Sequence, residues 1–148
     1  MIRFRPATAA DVPAVVALLA DDGLGAGRPA QDDVCHIDAF RRMQAAGNNH
    51  LIVGEAAGRI VATYQIALIC GLSLKAPVRA QVESVRVSVD LRGRGIGTAL
   101  MRDAESRART AGCGLIQLTT NRARLNAHRF YDRLGFTPSH IGYKRDLT

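Results

Sequence analysis

The chain has 148 residues, of which 47% are hydrophobic and 22% are charged. These fractions are close to the globular average, and the length corresponds to about one domain with a sizeable core. They exclude a disordered tail, a collagen and a small disulfide-stapled scaffold. The odd cysteine count without metal-ligand spacing predicts buried free thiols rather than disulfides or a zinc site. The three cysteines are Cys35, Cys70 and Cys113.

Nothing in the sequence has the length and apolar content of a membrane span. The most apolar stretch, residues 60–74, is interrupted by Thr, Gln, Gly and Ser and is too short to cross a bilayer. The apolar run at 12–20 is flanked by acidic residues, so it predicts a helix of the fold rather than a signal peptide. We therefore expect no membrane partner and a cytoplasmic location.

The net charge of +7 is unevenly distributed along the chain. Residues 1–74 carry a formal net charge of −1, whereas residues 75–148 carry +8. This excess favours an anionic partner for the second half, such as a phosphate-bearing cofactor, a nucleic acid or an acidic protein. Aromatic residues make up only 5% of the chain and do not alternate with basic ones, so a nucleic-acid-binding module is the alternative rather than the expectation.

The predicted elements follow the order β-α-α-β-β-β-α-β-α-β, an α/β sandwich with a mixed sheet. Thr8 and Asp11 form a capping-box pattern at the start of the first helix, and Ala57-Gly58 predicts a hairpin turn. Gly135 predicts a left-handed cap after the last helix. The predicted strands are 2–5, 50–56, 59–68, 80–89, 114–120 and 136–147, and the predicted helices are 11–22, 31–46, 97–111 and 125–134.

A glycine-rich turn between the strand at 80–89 and the next helix predicts an anion site. The first amides of a helix have no internal acceptor, and the helix dipole makes that end positive. Glycines at 93, 95 and 97 let the backbone approach a ligand closely, which favours a pyrophosphate. Thr98 stands where a dinucleotide fingerprint has its third glycine, and the G-K-[ST] of a P-loop is absent.

Two motifs in this order resemble the GNAT acetyltransferase superfamily. Arg92-x-x-Gly95-x-Gly97 resembles that family's R/Q-x-x-G-x-G/A motif, and residues 127–136, AHRFYDRLGF, resemble its second signature. The opening IRFRPATAADVPAVVALL is similar to its first strand and helix. The resemblance covers essentially the whole chain and implies a single domain over residues 1–148.

The resemblance implies a three-layer α/β/α sandwich with a mixed, centrally splayed sheet. In the family, a bulge in the strand before the glycine turn separates it from the next strand and opens a V-shaped slot. The implied reaction moves an acetyl group from acetyl-CoA to a primary amine of a small molecule or peptide, directly in a ternary complex and without a metal. The family's frequent dimerisation leaves a homodimer open.

By motif position, the turn amides would bind the pyrophosphate of coenzyme A. The end of the preceding strand would pair its backbone with the pantetheine arm and hold the thioester carbonyl. Arg124 stands where family members often have Asn, so that contact is not transferred. The implied coenzyme-binding residues are Val85, Arg86, Val87, Arg92, Gly93, Arg94, Gly95, Ile96, Gly97 and Thr98.

Acetyl transfer requires a neutral amine, and neutralising a Lys-like amine at pH 7 costs about 4.6 kcal/mol. Glu83, the only acid within 80–89, is the candidate base, with a raised pKa or a relaying water. A structural or acceptor-binding carboxylate is the alternative for Glu83. Tyr131 is the candidate acid, or a hydrogen-bond donor to the leaving thiolate, and a packed core tyrosine is its alternative.

The acceptor site and two further alternatives remain open. A site formed by the loop at 23–30, the second helix and the loop at 71–79 would lie in the acidic half, which suits a cationic amine. A non-catalytic coenzyme-binding GNAT domain and a ping-pong route through Cys113 are the alternatives to direct transfer. The acids of that half are Asp21, Asp22, Asp32, Asp33 and Asp38.

Overall fold

The computed structural model describes residues 1–21, 33–73, 75 and 78–148. The predicted loop at 23–30 and the beginning of the predicted second helix lie outside the described residues, as does part of the loop at 71–79. Contacts divide the chain into two units, Met1–Gln117 and Leu118–Thr148.

The first unit carries the sheet and three of the helices. Short 3-10 turns precede α1 and follow β4, at Ala9–Asp11 and Val89–Leu91. The second unit contributes α4, Leu125–Arg133. The other elements are β1 Arg3–Pro6, α1 Val12–Ala20, α2 Asp33–Ala46, β2 Asn49–Ala56, β3 Arg59–Cys70, β4 Val78–Val87, α3 Ile96–Thr110 and β5 Leu115–Leu118.

The five strands lie in the order β1-β2-β3-β4-β5. The first four pair antiparallel, and β2 and β3 are joined by the predicted turn, where Ala57 and Gly58 have φ of 49° and 73°. Neighbours β4 and β5 are connected through α3, which is the connection that parallel strands require. The sheet is therefore mixed, as the sequence predicts.

Helices cover the two faces of the sheet. Val53 is paired with Thr63, and its side chain packs in a core cluster with Val15 of α1 and Phe40 of α2. The neighbouring positions, Ile52 and Tyr64, point to the opposite face, because side chains alternate along a strand. Tyr64 reaches α3 there, so the layers are α1 and α2, the sheet, and α3.

Tyr64 connects α3 to the sheet by a partly buried hydrogen bond. Its hydroxyl donates to Asp103 Oδ2 at 2.5 Å, and the same oxygen accepts from Arg107 Nε at 2.8 Å. Burial, with the Asp103 contact second, raises the pKa of the Tyr64 hydroxyl far above its usual value, so it remains a donor at every physiological pH. The contact fixes the position of the helix whose first turn follows the glycine-rich turn.

The capping box at the start of α1 forms as predicted, and an arginine stabilises it. Asp11 Oδ2 accepts from the Thr8 backbone N–H at 2.8 Å and from Thr8 Oγ1 at 3.0 Å. Arg5 donates to both oxygens of Asp11, at 2.7 and 3.0 Å, and also binds Glu55. The Arg5 contact, with help from Thr8, lowers the pKa of Asp11 to about 2.

Two expectations from the sequence are wrong. Residues 136–147 do not form a strand, and most of them are exposed, so the apolar spacing there is not matched by pairing in the described sheet. The cysteines are not the buried thiols that the sequence predicts: Cys35 and Cys70 are exposed and Cys113 is half-buried, since Cys35 lies on the outer side of α2 and Cys70 ends β3.

Among the described residues, no helix is long and apolar enough to cross a membrane.

We expect Asp11→Asn to lower the free energy of unfolding by about 2 kcal/mol at pH 7, since one pKa unit corresponds to about 1.4 kcal/mol. The pKa of Asp11 in the folded protein lies below its usual value of 3.8, so the contribution is complete above 3.8 and is lost as the pH falls toward 2. Urea unfolding at pH 7 and at pH 2.5 measures it. A difference between wild type and variant that does not shrink at pH 2.5 would contradict this assignment.

Candidate active site

β4 contains a bulge in its second half. The register with β3 pairs Gln65 with Glu83 but Thr63 with Arg86, so two steps along β3 correspond to three along β4. Ser84 is left-handed, with φ of 54°. One extra residue of this kind bends a strand and increases its twist. The bulge that the family resemblance implied is therefore present.

The bulge is a feature that the residue types of β4 do not reveal. Left-handed residues in bulges are usually glycine, because a Cβ makes that conformation costly. Here the position is occupied by a serine within a run of apolar and polar residues that otherwise reads as a regular strand. The signal that could have found it is the pattern break of adjacent Glu83 and Ser84, both exposed in the middle of a central strand.

The second half of β4 extends past the residues that β5 accompanies. Gly114 N–H donates to the Val78 carbonyl at 3.1 Å, and Gln117 Nε2 donates to Gln81 Oε1 at 2.7 Å. Only one residue of β5 follows Gln117, whereas β4 continues to Val87. Among the described residues, the edge of β4 from the bulge onward therefore has no strand beside it.

Two arginine side chains donate hydrogen bonds to backbone carbonyls on that edge. Ser88 N–H donates to Val61 of β3 at 2.8 Å, so the backbone groups of Val87 point to the opposite edge, where the carbonyl accepts from Arg92 Nε at 3.2 Å. The carbonyl of Val85 accepts from Arg86 Nη1 at 2.8 Å. These carbonyls, two residues apart, present acceptors along the same edge.

The glycine-rich turn leads directly into α3, and the first amides of this helix have no acceptor within it. Gly93 and Gly95 have φ of 76° and 79°, and Gly95 directly precedes the helix. The Ala99 N–H donates to the Gly95 carbonyl at 3.0 Å, so the three preceding amides, at 96–98, have no acceptor within the helix. No side chain caps this end in the described part of the chain. An anion fits this turn.

Two arginines lie within the turn, and the acid nearest to it in sequence, Asp90, has its own cationic partner. Arg92 and Arg94 are exposed within the turn. Asp90 forms an ion pair with Arg59 at 2.7 Å and accepts from Ser88 Oγ. The Ser88 hydrogen bond, followed by Arg59, lowers the pKa of Asp90, which stays ionised and neutralised by its own partner. The turn therefore keeps its positive potential.

Glu83 and Arg86 flank the bulge. Glu83 is exposed, and Arg86 is half-buried with its guanidinium near the strand edge. Their cross-strand partners Gln65 and Thr63 lie on one face of β3, so both side chains leave the sheet on the face that α1 and α2 cover. The candidate base and the candidate coenzyme-binding edge are thus brought together by β4 itself.

In the second unit, Tyr131 lies in the middle of α4 and is half-buried. Its ring makes edge-to-face contacts with Phe130 and Phe136, at centroid distances of 5.2 and 5.9 Å. Gly135 follows α4 in the predicted left-handed conformation, with φ of 86°. The two phenylalanines and this turn fix the direction of the Tyr131 ring.

His128 and Cys113 lie outside β4 and the glycine-rich turn. His128 lies in α4, and its Nε2 is 2.9 Å from the carbonyl of Asn121, in the turn before that helix. Cys113 follows the left-handed Gly112 at the end of α3, and burial raises the pKa of its thiol. Within the described ranges, no group of three or more His, Cys, Asp or Glu side chains could hold a metal ion.

Residues 15–136 match the model of the acetyltransferase (GNAT) family. The chain belongs to this family. A structure from Bacillus halodurans C-125, described as a transcriptional regulator, is 39% identical, covers 99% of this chain and 100% of its own, and has a TM-score of 0.93. The GNAT-type sandwich predicted from the sequence is confirmed.

Two further similar proteins differ in how much of each chain the match covers. An aminoalkylphosphonate N-acetyltransferase of Salmonella typhimurium is 40% identical over 67 residues, which are 45% of this chain and 44% of that protein. The match thus spans less than half the length of this curated relative. A predicted acetyltransferase of Clostridium acetobutylicum, solved with acetyl-CoA, shares the fold at 19% identity and a TM-score of 0.79, covering 99% of this chain and 97% of its own.

We expect Ser84→Val to be about 2 kcal/mol less stable than Ser84→Gly, because a β-branched side chain disfavours the left-handed region. The matched pair at Gln81, in the regular part of β4, should reverse this order, since valine suits a strand better than glycine. Urea unfolding of the four variants measures the free energies. Equal stability of the two Ser84 variants would show that the left-handed conformation is absent in solution.

Proposed function

We propose that this GNAT protein is an acetyl-CoA-dependent N-acetyltransferase that transfers the acetyl group directly to a primary amine of a small molecule or peptide. The observation that carries the proposal is the first turn of α3, whose amides at 96–98 have no acceptor within the helix, preceded by left-handed Gly93 and Gly95 and next in sequence to the open edge of β4. Residues 1–148 would act as one acetyltransferase domain.

Acetyl-CoA fits the chemistry of these groups. Its pyrophosphate would accept hydrogen bonds from the amides of Gly93 to Thr98, supported by the charges of Arg92 and Arg94. Its pantetheine amides would pair with the backbone of 85–87, in place of the present contacts to Val85 and Val87. All ten coenzyme-binding residues predicted from the sequence lie on this one stretch, from β4 to the first turn of α3.

The proposed reaction exchanges a C–S bond for an N–C bond. The neutral amine attacks the thioester carbonyl, so an N–C bond forms, the C–S bond breaks, the electron pair leaves on sulfur, and the proton that the nitrogen then loses balances the one that the thiolate gains. Glu83, directly or through a water, takes the proton from the ammonium. Its place beside the bulge, on the strand that would hold the thioester, supports this role. An acceptor-binding role for Glu83 uses the same position.

Tyr131 is the second proposed catalytic residue, as donor of a hydrogen bond or proton to the leaving thiolate. The assignment rests on its position in the second family signature. A direct route is favoured over a ping-pong route because burial raises the pKa of the Cys113 thiol, and a nucleophilic cysteine needs the opposite shift.

A small amine is supported by the relative that acts on aminoalkylphosphonates. A nucleic-acid-binding role is the second candidate function. It is favoured by the net charge of +8 in residues 75–148 and by the relative described as a transcriptional regulator. The two candidates differ in their ligands, so coenzyme and oligonucleotide binding distinguish them.

We expect Gly95→Ala to weaken coenzyme A binding about tenfold or more, because the left-handed turn that aims the first amides of α3 becomes strained. Gly112→Ala is the matched control, with φ of 75° at the other end of α3 and, as at Gly95, open space around the added Cβ. Calorimetry with coenzyme A should show the loss only for Gly95→Ala. No coenzyme affinity in the wild type, with binding of a duplex oligonucleotide, would favour the second candidate.

We expect Tyr131→Phe to lower kcat about 100-fold with little change in coenzyme affinity, because it removes the donor to the thiolate and leaves the aromatic packing. Thiol release with a panel of amines measures turnover. Tyr143→Phe, at an exposed tyrosine, is the control. Unchanged turnover of Tyr131→Phe would remove this residue from the reaction, and a loss shared by Tyr143→Phe would indicate a general effect.

A further inference from the structure

Tyr64 lies at the point of β3 that faces the bulge of β4. The residues of β3 on either side of it have partners three residues apart on β4, so Tyr64 itself lies opposite two residues, Ser84 and Val85. Its side chain is fully buried and leaves the sheet on the face that carries α3. One residue therefore contacts both the bulged strand and the helix that begins at the glycine-rich turn.

The hydroxyl of Tyr64 makes a direct polar contact between β3 and α3. It donates to Asp103 Oδ2 at 2.5 Å, about two turns after the helix begins. One turn further along, Arg107 makes a second and longer contact, from Nη2 to the carbonyl of Phe4 in β1 at 3.5 Å. Of these two contacts, the one from Tyr64 is both the shorter and the nearer to the first turn of α3.

The side chains of α3 that are buried are all apolar. They belong to Leu100, Met101, Ala104 and Ala108. Apolar burial holds a helix against a sheet but does not fix its position along the sheet, because the hydrophobic effect is non-directional. A short hydrogen bond to a charged acceptor has a defined length and angle. The contact between Tyr64 and Asp103 therefore determines where the first turn of α3 lies relative to β4.

The coenzyme of the proposed function would bridge the two elements that this contact connects. Its pyrophosphate would bind the first amides of α3, and its pantetheine arm would bind the backbone of 85–87 in β4. A ligand held at two points binds tightly only when the spacing of those points matches its own length. In enzymes, a displacement of about 1 Å caused by a distant substitution can lower the rate about 100-fold.

We propose that Tyr64 is a positioning residue that acts through Asp103: it sets the distance between the first turn of α3 and the open edge of β4, and thereby the affinity for a ligand that spans both. This inference rests on the proposed acetyltransferase function. It adds to that function a residue outside the ten that would bind the coenzyme.

The test compares ligands that reach one element with a ligand that reaches both. ADP carries a pyrophosphate without the pantetheine arm, pantetheine carries the arm without the pyrophosphate, and coenzyme A carries both. Tyr64→Phe removes the hydroxyl and keeps the ring, while Asp103 keeps Arg107 as a partner. We expect this variant to weaken coenzyme A binding about tenfold and the binding of either fragment by about twofold or less. Calorimetry measures coenzyme A, and NMR titration measures the two weaker fragments.

Thr63→Val is the matched control for lost stability. Thr63 precedes Tyr64 in β3, is equally buried, and donates from Oγ1 to the carbonyl of Ile52 in β2 at 2.9 Å. The substitution removes a buried hydroxyl that does not contact α3. Its melting temperature should fall as that of Tyr64→Phe does, and its coenzyme A affinity should stay within about twofold of wild type.

Asp103→Asn is the conservative variant of the acceptor. It keeps an oxygen that can accept from the Tyr64 hydroxyl but lacks the charge, so the hydrogen bond is weakened rather than lost. Coenzyme A affinity should fall about threefold, less than in Tyr64→Phe. The same comparison of coenzyme A with its fragments in Asp103→Asn decides the question if Tyr64→Phe does not fold.

The outcomes distinguish this proposal from the function on which it rests. A lower melting temperature of Tyr64→Phe with unchanged coenzyme A affinity would overturn the positioning role while coenzyme binding stands. Equal losses for coenzyme A and ADP would also overturn it, because the turn itself would then be damaged. A loss in Thr63→Val as large as that in Tyr64→Phe would assign the effect to general destabilisation. Absence of coenzyme A binding in the wild type would overturn the acetyltransferase proposal itself.

Discussion

The site depends on one extra residue in β4, opposite Tyr64. Ser84 and Val85 together lie opposite this single position of β3, so β4 bends there. The residues of β4 after the bend no longer lie beside β5. Tyr64 is also the residue that holds α3 through Asp103. One side chain therefore lies between the bulged strand and the helix whose first turn is open. Because protein interiors are packed as densely as organic crystals, this shared contact fixes the position of α3 relative to β4.

Charge in this protein is arranged by local pairing rather than by net composition. Acids that would weaken an anion site have their own cations, as Asp90 has Arg59 and Asp103 has Arg107. The arginines of the glycine turn, Arg92 and Arg94, are exposed, so their positive potential extends into the solvent. This arrangement explains how a region with six acids still presents a positive turn, and it is consistent with the excess positive charge of residues 75–148.

The order of elements and the glycine turn could be predicted from the sequence because each has a local cause. These features depend on the conformational preferences of one to four neighbouring residues, as in the cap at Thr8 and Asp11, the turn at Ala57-Gly58 and the left-handed Gly135. The bulge could not be predicted in this way, since a serine in the left-handed conformation reports a tertiary constraint. The prediction of a strand at 136–147 was wrong for a related reason. A strand forms only where a second strand is available to pair with it, and the residue types of 136–147 do not specify that second strand. The catalytic assignments of Glu83 and Tyr131 remain predictions.

The two arginine contacts at the end of β4 have a consequence for solubility. An uncovered strand edge is a template for the strands of other molecules, and proteins usually block it with lysine, proline or a bulge. Here Arg86 and Arg92 occupy the carbonyls of Val85 and Val87, and the bulge twists the edge beside them. The same contacts thus protect this strand edge from pairing with another molecule of the protein.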